Sequence, residues 1–223
     1  MSIKESLNSF CNLFLIRERN AIGEIFETIP VFVINLKSNH KRLNKTSRNL
    51  RRMGIRNFQV FRAIEDPIGT RGCSKSHLAI WQSLQLMQTE VALVCEDDFK
   101  FIGNLNKLRK VLSESLNMPQ IKFLALAGIT KDRGVKVSQT LKVTHNLQAA
   151  ACYLVKLDLL DELIQSNKKS ILELTKSNGS FGSMDKVWKV IQVEERFAVP
   201  IHKMCRQYYG YSDIKKRRVF YEY

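Results

Sequence analysis

The sequence predicts one α/β domain built around a mainly parallel sheet, and three observations favour that fold class. Short apolar, β-branched runs alternate with stretches of helical periodicity along most of the chain. The 223 residues are 44% hydrophobic and 26% charged, which is typical of a globular chain and excludes a disordered or collagen-like one. No internal repeat or linker rich in Gly, Pro or Ser interrupts the alternation. We therefore expect a single continuous core.

The first half of the chain is expected to form a helix and then a strand, three times over. Pro30 separates the first helix from the first strand. Ser38 is a candidate N-cap of the second helix, and Gly54 is a candidate stop at its C-terminus. The predicted elements are a helical extension over 1–29, a strand over 31–34, a helix over 38–53, a strand over 59–61, a helix from 74 or 76 to 87, and a strand over 91–95.

The second half of the chain is expected to continue the same fold with a longer loop near its end. Residues 30–214 are assigned to one domain, flanked by the extension over 1–29 and by a basic tail over 215–223. The predicted elements are a helix over 104–116, strands over 121–127 and 149–155, a helix over 158–165, a Gly/Ser loop over 177–183 and a short helix from 185.

Three consecutive acids, Glu96, Asp97 and Asp98, directly follow the apolar strand over 91–95. Ligands of open α/β sheets bind at the carboxyl ends of the strands, so these acids mark a candidate site. Because alternate residues of an extended segment point the same way, Glu96 and Asp98 can face one cation together. Hard divalent ions take such oxygen ligands, and an ion held here could bridge a diphosphate. The alternative is an acidic first turn of the next helix, stabilised by the helix dipole.

The charge balance narrows the class of partner. The chain carries 36 Lys and Arg against 21 Asp and Glu, a formal net charge of +15. Such a surplus attracts polyanions, which include nucleic acid, anionic membranes and phosphorylated substrates. A nucleic-acid-binding protein is one alternative, but the sequence contains no zinc finger or RRM-like aromatic signature. A metal-dependent phosphodiesterase is another, but the four histidines form no ligand-like cluster in the sequence.

The cysteines and the apolar segments indicate in which cellular compartment the protein is expected. Five scattered cysteines without a CxxC pair are typical of reduced thiols in a cytoplasmic protein. The apolar patch over 10–16 is far shorter than the roughly 20 residues that a membrane span requires. We therefore expect a cytoplasmic protein. The amphipathic stretch over 7–16 and the cations at 215–218 are candidate contacts with the anionic inner face of a membrane.

Six short segments occur in the order and spacing of one family's motifs, over residues 31–214. They are Val33-Ile34-Asn35-Leu36 followed by Arg42; Gly72-Cys73-Ser74-Lys75-Ser76-His77, a "G-C-x-x-S-H" helix; Ala92 to Asp98, an "A-L-V-x-E-D-D" strand; Ala149 to Val155; Met184-Asp185 with Trp188; and Gln207 with Ser212-Asp213-Ile214. This ordered set resembles family 25 of the glycosyltransferases, which includes bacterial lipooligosaccharide galactosyltransferases and collagen galactosyltransferases. The extension over 1–29 has no counterpart in that pattern.

The resemblance implies a GT-A fold of the Rossmann-like kind, a divalent metal (Mn²⁺ or Mg²⁺) and a UDP-sugar donor, most often UDP-galactose. It also implies a saccharide or glycolipid acceptor, such as bacterial lipooligosaccharide core, and inversion at the sugar carbon. Nucleic acid is not expected as a partner. Glu96 and Asp98 would hold the metal, and Asp185 would be the catalytic base. The residues implied to bind the donor are Asn35, Leu36, Arg42, Ser76, His77, Asp97, Gln207, Ser212 and Asp213.

Several of these residues could instead have a structural role, and the sequence leaves both roles open. Asp185 is also a candidate helix N-cap, donor-sugar contact or extra metal ligand. Asp213 could pair with Lys215 or Lys216 instead of a phosphate site. Asn35 could be a turn residue, Arg42 a solvated cation, and His77 a hydrogen-bonded core histidine. Leu78, Trp81 and Tyr153 could pack in the core.

Overall fold

The computed structural model describes residues 3–194, 196–214 and 217–219, with side chains described from Ile16 onward. The helices are α1 (Ile3–Thr28), α2 (His40–Arg52), α3 (Gly69–Gln85), α4 (Leu105–Asn117), α5 (Leu160–Lys176) and α6 (Met184–Val187). The strands are β1 (Val31–Asn35), β2 (Gln59–Arg62), β3 (Val91–Glu96), β4 (Phe99–Phe101), β5 (Phe123–Thr130), β6 (Val135–Lys136), β7 (Leu141–Val143), β8 (Leu147–Lys156), β9 (Phe197–Pro200), β10 (Cys205–Gln207), β11 (Gly210–Ser212) and β12 (Arg217–Val219).

Eight of these strands form one central sheet in the order β2-β1-β3-β8-β5-β9-β7-β6. The pairings make six of the eight strands run in one direction, with β8 and β7 reversed. The mainly parallel α/β fold is therefore confirmed. Strands β4 and β10 pair separately, and so do β11 and β12. Because β1 and β3 are adjacent and parallel, their carboxyl ends meet at the same edge of the sheet.

Both faces of the sheet are covered, which explains why its inner strands are apolar at successive positions. On β1, Val31 and Val33 point to one hydrophobic cluster, while Phe32 and Ile34 point to the other. The first cluster includes residues of α1, α2 and α4, and the second includes residues of α3 and α5. The C-terminal part of α1 belongs to the core, since Ile22 and Phe26 are buried in the first cluster.

Helix α2 ends where the sequence predicts, for a clear conformational reason. Gly54 has a φ of +92°, a left-handed conformation that glycine adopts without a steric penalty. The Gly54 amide donates to the carbonyl of Arg51, and the Ile55 amide donates to that of Leu50, as in a Schellman motif. The predicted N-cap is wrong. The helix begins after Asn39 rather than Ser38, and no side chain caps it.

Two helices extend beyond their predicted bounds. Helix α3 begins at Gly69, five residues before the first predicted start, and α5 continues to Lys176. Seven of the described strands are not predicted from the sequence, and each is only two to four residues long. They are β4, β6, β7, β9, β10, β11 and β12. None of the described helices combines the length and hydrophobicity that crossing a bilayer requires.

Glu114 on α4 stabilises the turn that joins β6 to β7. Its carboxylate accepts hydrogen bonds from Ser138 Oγ, from Thr140 Oγ1 at 2.7 Å and from the Thr140 amide at 3.2 Å. Burial opposes the charged form, but these hydrogen bonds outweigh it, so the pKa of Glu114 is lowered.

Replacing Glu114 with Gln is expected to lower the free energy of unfolding by about 1 kcal/mol at pH 7. A carboxylate with a lowered folded pKa stabilises the protein above its unfolded pKa, and this contribution disappears as the pH falls through the folded pKa. The difference between Glu114→Gln and wild type should therefore shrink between pH 7 and pH 3. Urea unfolding across that range measures it, with Glu24→Gln, an exposed acid on α1, as the control. A difference that does not change with pH would contradict the assignment.

Candidate active site

A cleft of about 300 Å³ opens at the edge of the sheet where β1 and β3 end. Ten of the twelve predicted site residues line it. They are Leu36, Arg42, Ser76, His77, Glu96, Asp97, Asp98, Gln207, Ser212 and Asp213. Helix α3 forms one wall of this first cleft, and the segment that contains β10 and β11 forms another. Their convergence follows from the parallel pairing of β1 with β3, which brings both strand ends to one edge.

Asp97 is buried and joins the end of β3 to β1 and α2. Its carboxylate accepts a hydrogen bond from Asn35 Nδ2 at 2.6 Å and lies 2.5 Å from Arg42 Nη2. Its carbonyl oxygen accepts a hydrogen bond from Thr46 Oγ1 at 2.8 Å. Burial raises the pKa of Asp97 to about 6, although the positive charge of Arg42 lowers it. Asn35 therefore contacts Asp97 directly and lies just behind the cleft lining.

Asp98 faces the strand pair β4 and β10. Gln207 Nε2 lies 3.4 Å from both carboxylate oxygens, and Arg42 Nη2 lies 3.2 Å from Oδ2. The Tyr208 amide donates to the Asp98 carbonyl, which fixes the backbone here. Burial raises the pKa of Asp98 to about 7, and the negative charge of Glu96 is the next largest cause. The charge of Arg42, which lowers this pKa, therefore does not offset the burial of Asp98 and its repulsion from Glu96.

Arg42 connects three carboxylates rather than lying on a solvated helix face. Its Nη2 contacts Asp97 and Asp98, and its Nη1 lies 2.8 Å from Asp213 Oδ2. Asn39 Nδ2 donates to the same Asp213 oxygen at 2.8 Å. Asp213 thus pairs with Arg42, while the alternative partners at 215 and 216 lie outside the described residues. The guanidinium joins α2, the end of β3 and the turn after β11.

Glu96 points toward α3, where it meets a histidine and a cysteine. Its Oε1 lies 3.3 Å from His77 Nε2 and 3.7 Å from Cys73 Sγ. His77 Nδ1 lies 2.7 Å from Tyr153 Oη, which accepts a hydrogen bond from Trp81 Nε1 at 3.1 Å. His77, Trp81 and Tyr153 are fully buried. Core packing of Trp81 and Tyr153 is therefore confirmed, and both ring nitrogens of His77 have a partner.

The rim of the first cleft formed by residues 64–76 is held by hydrogen bonds within the protein. Ser76 Oγ accepts a hydrogen bond from the Ile64 amide and donates one to the Gly72 carbonyl, both at 2.8 Å. Hydrogen bonds from Arg71 hold the pKa of Asp66 well below its usual range, and Lys75 Nζ lies 2.7 Å from the same carboxylate. These contacts order residues 64–68 against the first turns of α3.

Asp185, the predicted base, lies in a second cleft of about 330 Å³ beside the first. Cys73, Glu96, Gln207, Ser212 and Ile214 line both clefts. Ser183 is the N-cap of α6 and Asp185 lies inside the helix, so the N-cap alternative for Asp185 is wrong. Within the described part of the chain, its carboxylate has no hydrogen bond or ion pair.

The backbone around this second cleft adopts unusual conformations. Ala149 on β8 has a φ of +48°, in the left-handed region that non-glycine residues rarely enter. The Gly/Ser loop before α6 is attached to α5, because Ser170 Oγ donates to the Gly182 carbonyl at 2.6 Å. Gly182 has a φ of +94°, and a Cβ there would lie 2.5 Å from Glu173 Cβ. Of these two residues only Ala149 is strained, and strained non-glycine residues are typical of functional sites.

The acids of the first cleft fit a hard divalent cation. Glu96 and Asp98 both line the cleft, and the charge of Glu96 raises the pKa of Asp98. A cation shared between them would offset that repulsion. Glu96 also has softer donors beside it, because the ligand atoms of Cys73, His77 and Glu96 all lie within 4.8 Å of one another.

Some residues of the clefts are not among the predicted ones. Cys73 lies next to Glu96. Its spacing of four residues from His77 on helix α3 is the sequence signal that these two side chains are close. Lys131 and Gln148 line the second cleft, but nothing in the sequence distinguishes them from other polar residues. Asp66 carries no signal either, because its role depends on the start of α3.

The chain is similar to known glycosyltransferases in sequence and in fold. The model of glycosyltransferase family 25, described as an LPS biosynthesis protein family, matches residues 67–177. No curated protein matches the chain. A glycosyltransferase involved in the glycosylation of the major capsid of PBCV-1 has a similar structure, with a TM-score of 0.54 and 13% identity, over 84% of this chain and 96% of that one. A UDP-glucose pyrophosphorylase complexed with UDP-glucose gives a TM-score of 0.47 and 11% identity, over 84% and 78% of the two chains.

The family match and the structural likeness support different conclusions. The likeness to the PBCV-1 glycosyltransferase concerns the fold alone, at 13% identity. The family match covers about half of the chain, including α3 and the three acids. It confirms the resemblance: through residues 67–177, the chain belongs to glycosyltransferase family 25.

Proposed function

We propose that the protein is a metal-dependent, inverting galactosyltransferase. It would transfer galactose from UDP-galactose to a saccharide acceptor such as bacterial lipooligosaccharide or lipopolysaccharide core. The observation that carries this proposal is the convergence of ten predicted residues on one cleft, with a second cleft sharing Glu96 and Gln207. Two joined clefts suit a reaction that brings two substrates together.

The donor would bind in the first cleft, with its diphosphate near the acids. Glu96 and Asp98 would hold Mn²⁺ or Mg²⁺, and a divalent cation there supplies charge neutralisation for the departing diphosphate. Arg42, which is held by Asp97 at 2.5 Å, contacts the Asp98 carboxylate at 3.2 Å and helps to fix its position. Gln207 and Ser212 lie where the two clefts meet, so they would contact the donor near its sugar.

The acceptor would bind in the second cleft, where Asp185 would remove the proton from its hydroxyl group. A general base must reach the acceptor hydroxyl and be free to accept its proton. Asp185 meets the second condition, since its carboxylate has no hydrogen bond or ion pair among the described residues. Lys131 and Gln148 line the same cleft and could bind an acceptor that carries phosphate or hydroxyl groups.

The proposed compartment is the cytoplasm, with peripheral attachment to the inner face of the membrane. The net charge of +15 supports attraction to anionic lipids and to phosphate-rich acceptors. The predicted membrane contacts fall partly outside the described residues, because the side chains of 7–15 and residues 215 and 216 are not described. They stay predictions.

Calorimetric titration of UDP, with and without Mn²⁺, tests the donor site. We expect metal-dependent binding in wild type, weakened by more than about 100-fold in a Glu96→Gln/Asp98→Asn variant. A Glu24→Gln/Glu27→Gln variant removes two exposed acids on α1 and is the matched control. UDP-galactose, UDP-glucose and UDP-N-acetylglucosamine are then compared as donors. Absence of UDP binding in every condition would contradict the proposal.

A further inference from the structure

We propose that Cys73, His77 and Glu96 form a binding site for a borderline-soft divalent cation such as Zn²⁺. The site lies between the two clefts and shares Glu96 with the proposed hard-metal pair, whose other member, Asp98, is not among its ligands. Cys73 and His77 are four residues apart on α3, so their side chains lie on one face of the helix. Glu96 reaches this face from the end of β3.

The distances suit a tetrahedral ion. Zn–S, Zn–N and Zn–O bonds of about 2.0–2.3 Å at tetrahedral angles place neighbouring ligand atoms roughly 3.3–3.6 Å apart. Glu96 Oε1 lies 3.3 Å from His77 Nε2 and 3.7 Å from Cys73 Sγ, and all three ligand atoms lie within 4.8 Å of one another. An ion can therefore enter with small side-chain adjustments.

The histidine ring is held in the orientation that a metal ligand needs. His77 Nδ1 contacts Tyr153 Oη at 2.7 Å, and Trp81 Nε1 fixes that hydroxyl from the other side at 3.1 Å. The rings of His77 and Tyr153 stack with an interplanar angle of 25°. With Nδ1–H donating to the hydroxyl, the lone pair of Nε2 is directed toward Glu96. Such outer hydrogen bonds set the tautomer of metal-binding histidines.

The charge and the position of the site indicate what it would bind. One thiolate, one carboxylate and one neutral imidazole give a neutral set with a divalent cation, which suits a partly buried location. Mixed S, N and O ligands favour Zn²⁺ or Co²⁺, whereas Glu96 and Asp98 favour Mn²⁺ or Mg²⁺. Because Cys73 and Glu96 line both clefts, the fourth position of the ion is open to substrate oxygen. Three protein ligands and one open position are typical of catalytic zinc sites.

Titration of the metal-free protein with Co²⁺ tests the site without any sugar nucleotide, so its outcome is independent of the proposed function. We expect one equivalent to give a thiolate-to-cobalt charge-transfer band with intense tetrahedral ligand-field bands, and Zn²⁺ to displace it. Cys73→Ser should abolish the charge-transfer band, and Glu96→Gln should weaken binding by at least about tenfold. Asp98→Asn, the matched control, should retain the band.

A second measurement uses the wild-type protein and does not depend on a variant that folds. One equivalent of Zn²⁺ should protect Cys73 from alkylation, as located by peptide mass spectrometry, while the same amount of Mg²⁺ should not. A wild-type protein with no charge-transfer band would overturn the proposal, because the cluster would then be a thiol and an imidazole that only donate hydrogen bonds to Glu96. A band that survives in Cys73→Ser would overturn it as well, since another thiol would bind the ion.

Discussion

Replacing Asp185 with Asn is expected to lower kcat by about 100- to 10,000-fold, with the KM for the donor little changed. The amide keeps the size of the side chain but cannot accept the proton of an acceptor hydroxyl. Asp185 lines the second cleft and not the first, where the donor is proposed to bind, so binding of UDP should be unaffected. Initial rates at saturating donor and acceptor, together with UDP calorimetry, measure both quantities.

The matched control for this prediction is Asp161→Asn, the same chemical change at an exposed aspartate on α5. It should leave turnover near the wild-type value. A general base also gives the pH profile of kcat an acidic limb, which Asp185→Asn should flatten. Near-normal turnover of Asp185→Asn would show that another group accepts the proton. A loss of UDP binding in the same variant would assign Asp185 to the donor instead.

The central part of the fold could be predicted because its signals are local. Strand β3 is a run of five apolar residues followed at once by three acids. Its predicted start at Val91 is confirmed, and it continues one residue beyond the predicted end, to Glu96. The Gly54 stop is local too, since the left-handed conformation is determined by one residue and its neighbours. The short strands β6, β7, β9 and β10 carry no such signal. Strands β7, β9 and β10 pair with parts of the chain that are distant in sequence, whereas β6 pairs with the adjacent β7 across a short turn.

For the site too, the sequence indicates which residue types are present but not which residues they contact. The acidic run indicates a cation site, but the sequence does not tell which acid turns toward which neighbour. Asp97 pairs with Asn35 and Arg42 because β1 and α2 pack beside β3. Asp98 meets Gln207, 109 positions away, because β10 pairs with β4. These contacts depend on tertiary pairing, whereas the contact between Cys73 and His77 follows from helical spacing alone.

Arg42 gives the second large prediction, this time on stability. Its guanidinium contacts Asp97 at 2.5 Å, Asp98 at 3.2 Å and Asp213 at 2.8 Å, and its side chain is only 26% exposed. Removing one partner of a buried ion pair leaves charge without compensation, which costs about 3 kcal/mol. Arg42→Gln is therefore expected to lower the free energy of unfolding by about that amount. Urea unfolding in EDTA measures it, because no divalent cation can then replace the lost positive charge.

Two further variants separate the geometry of the guanidinium from its charge. Arg42→Lys should recover only part of the loss, because an ammonium is a point charge that cannot contact Asp97 and Asp213 through a planar fork. Arg48→Gln removes an exposed cation of the same helix and should change stability by no more than about 0.5 kcal/mol. Equal stabilities of Arg42→Gln and Arg48→Gln would contradict the prediction. The three carboxylates would then be accommodated by solvent, and Arg42 would be available for the donor phosphates.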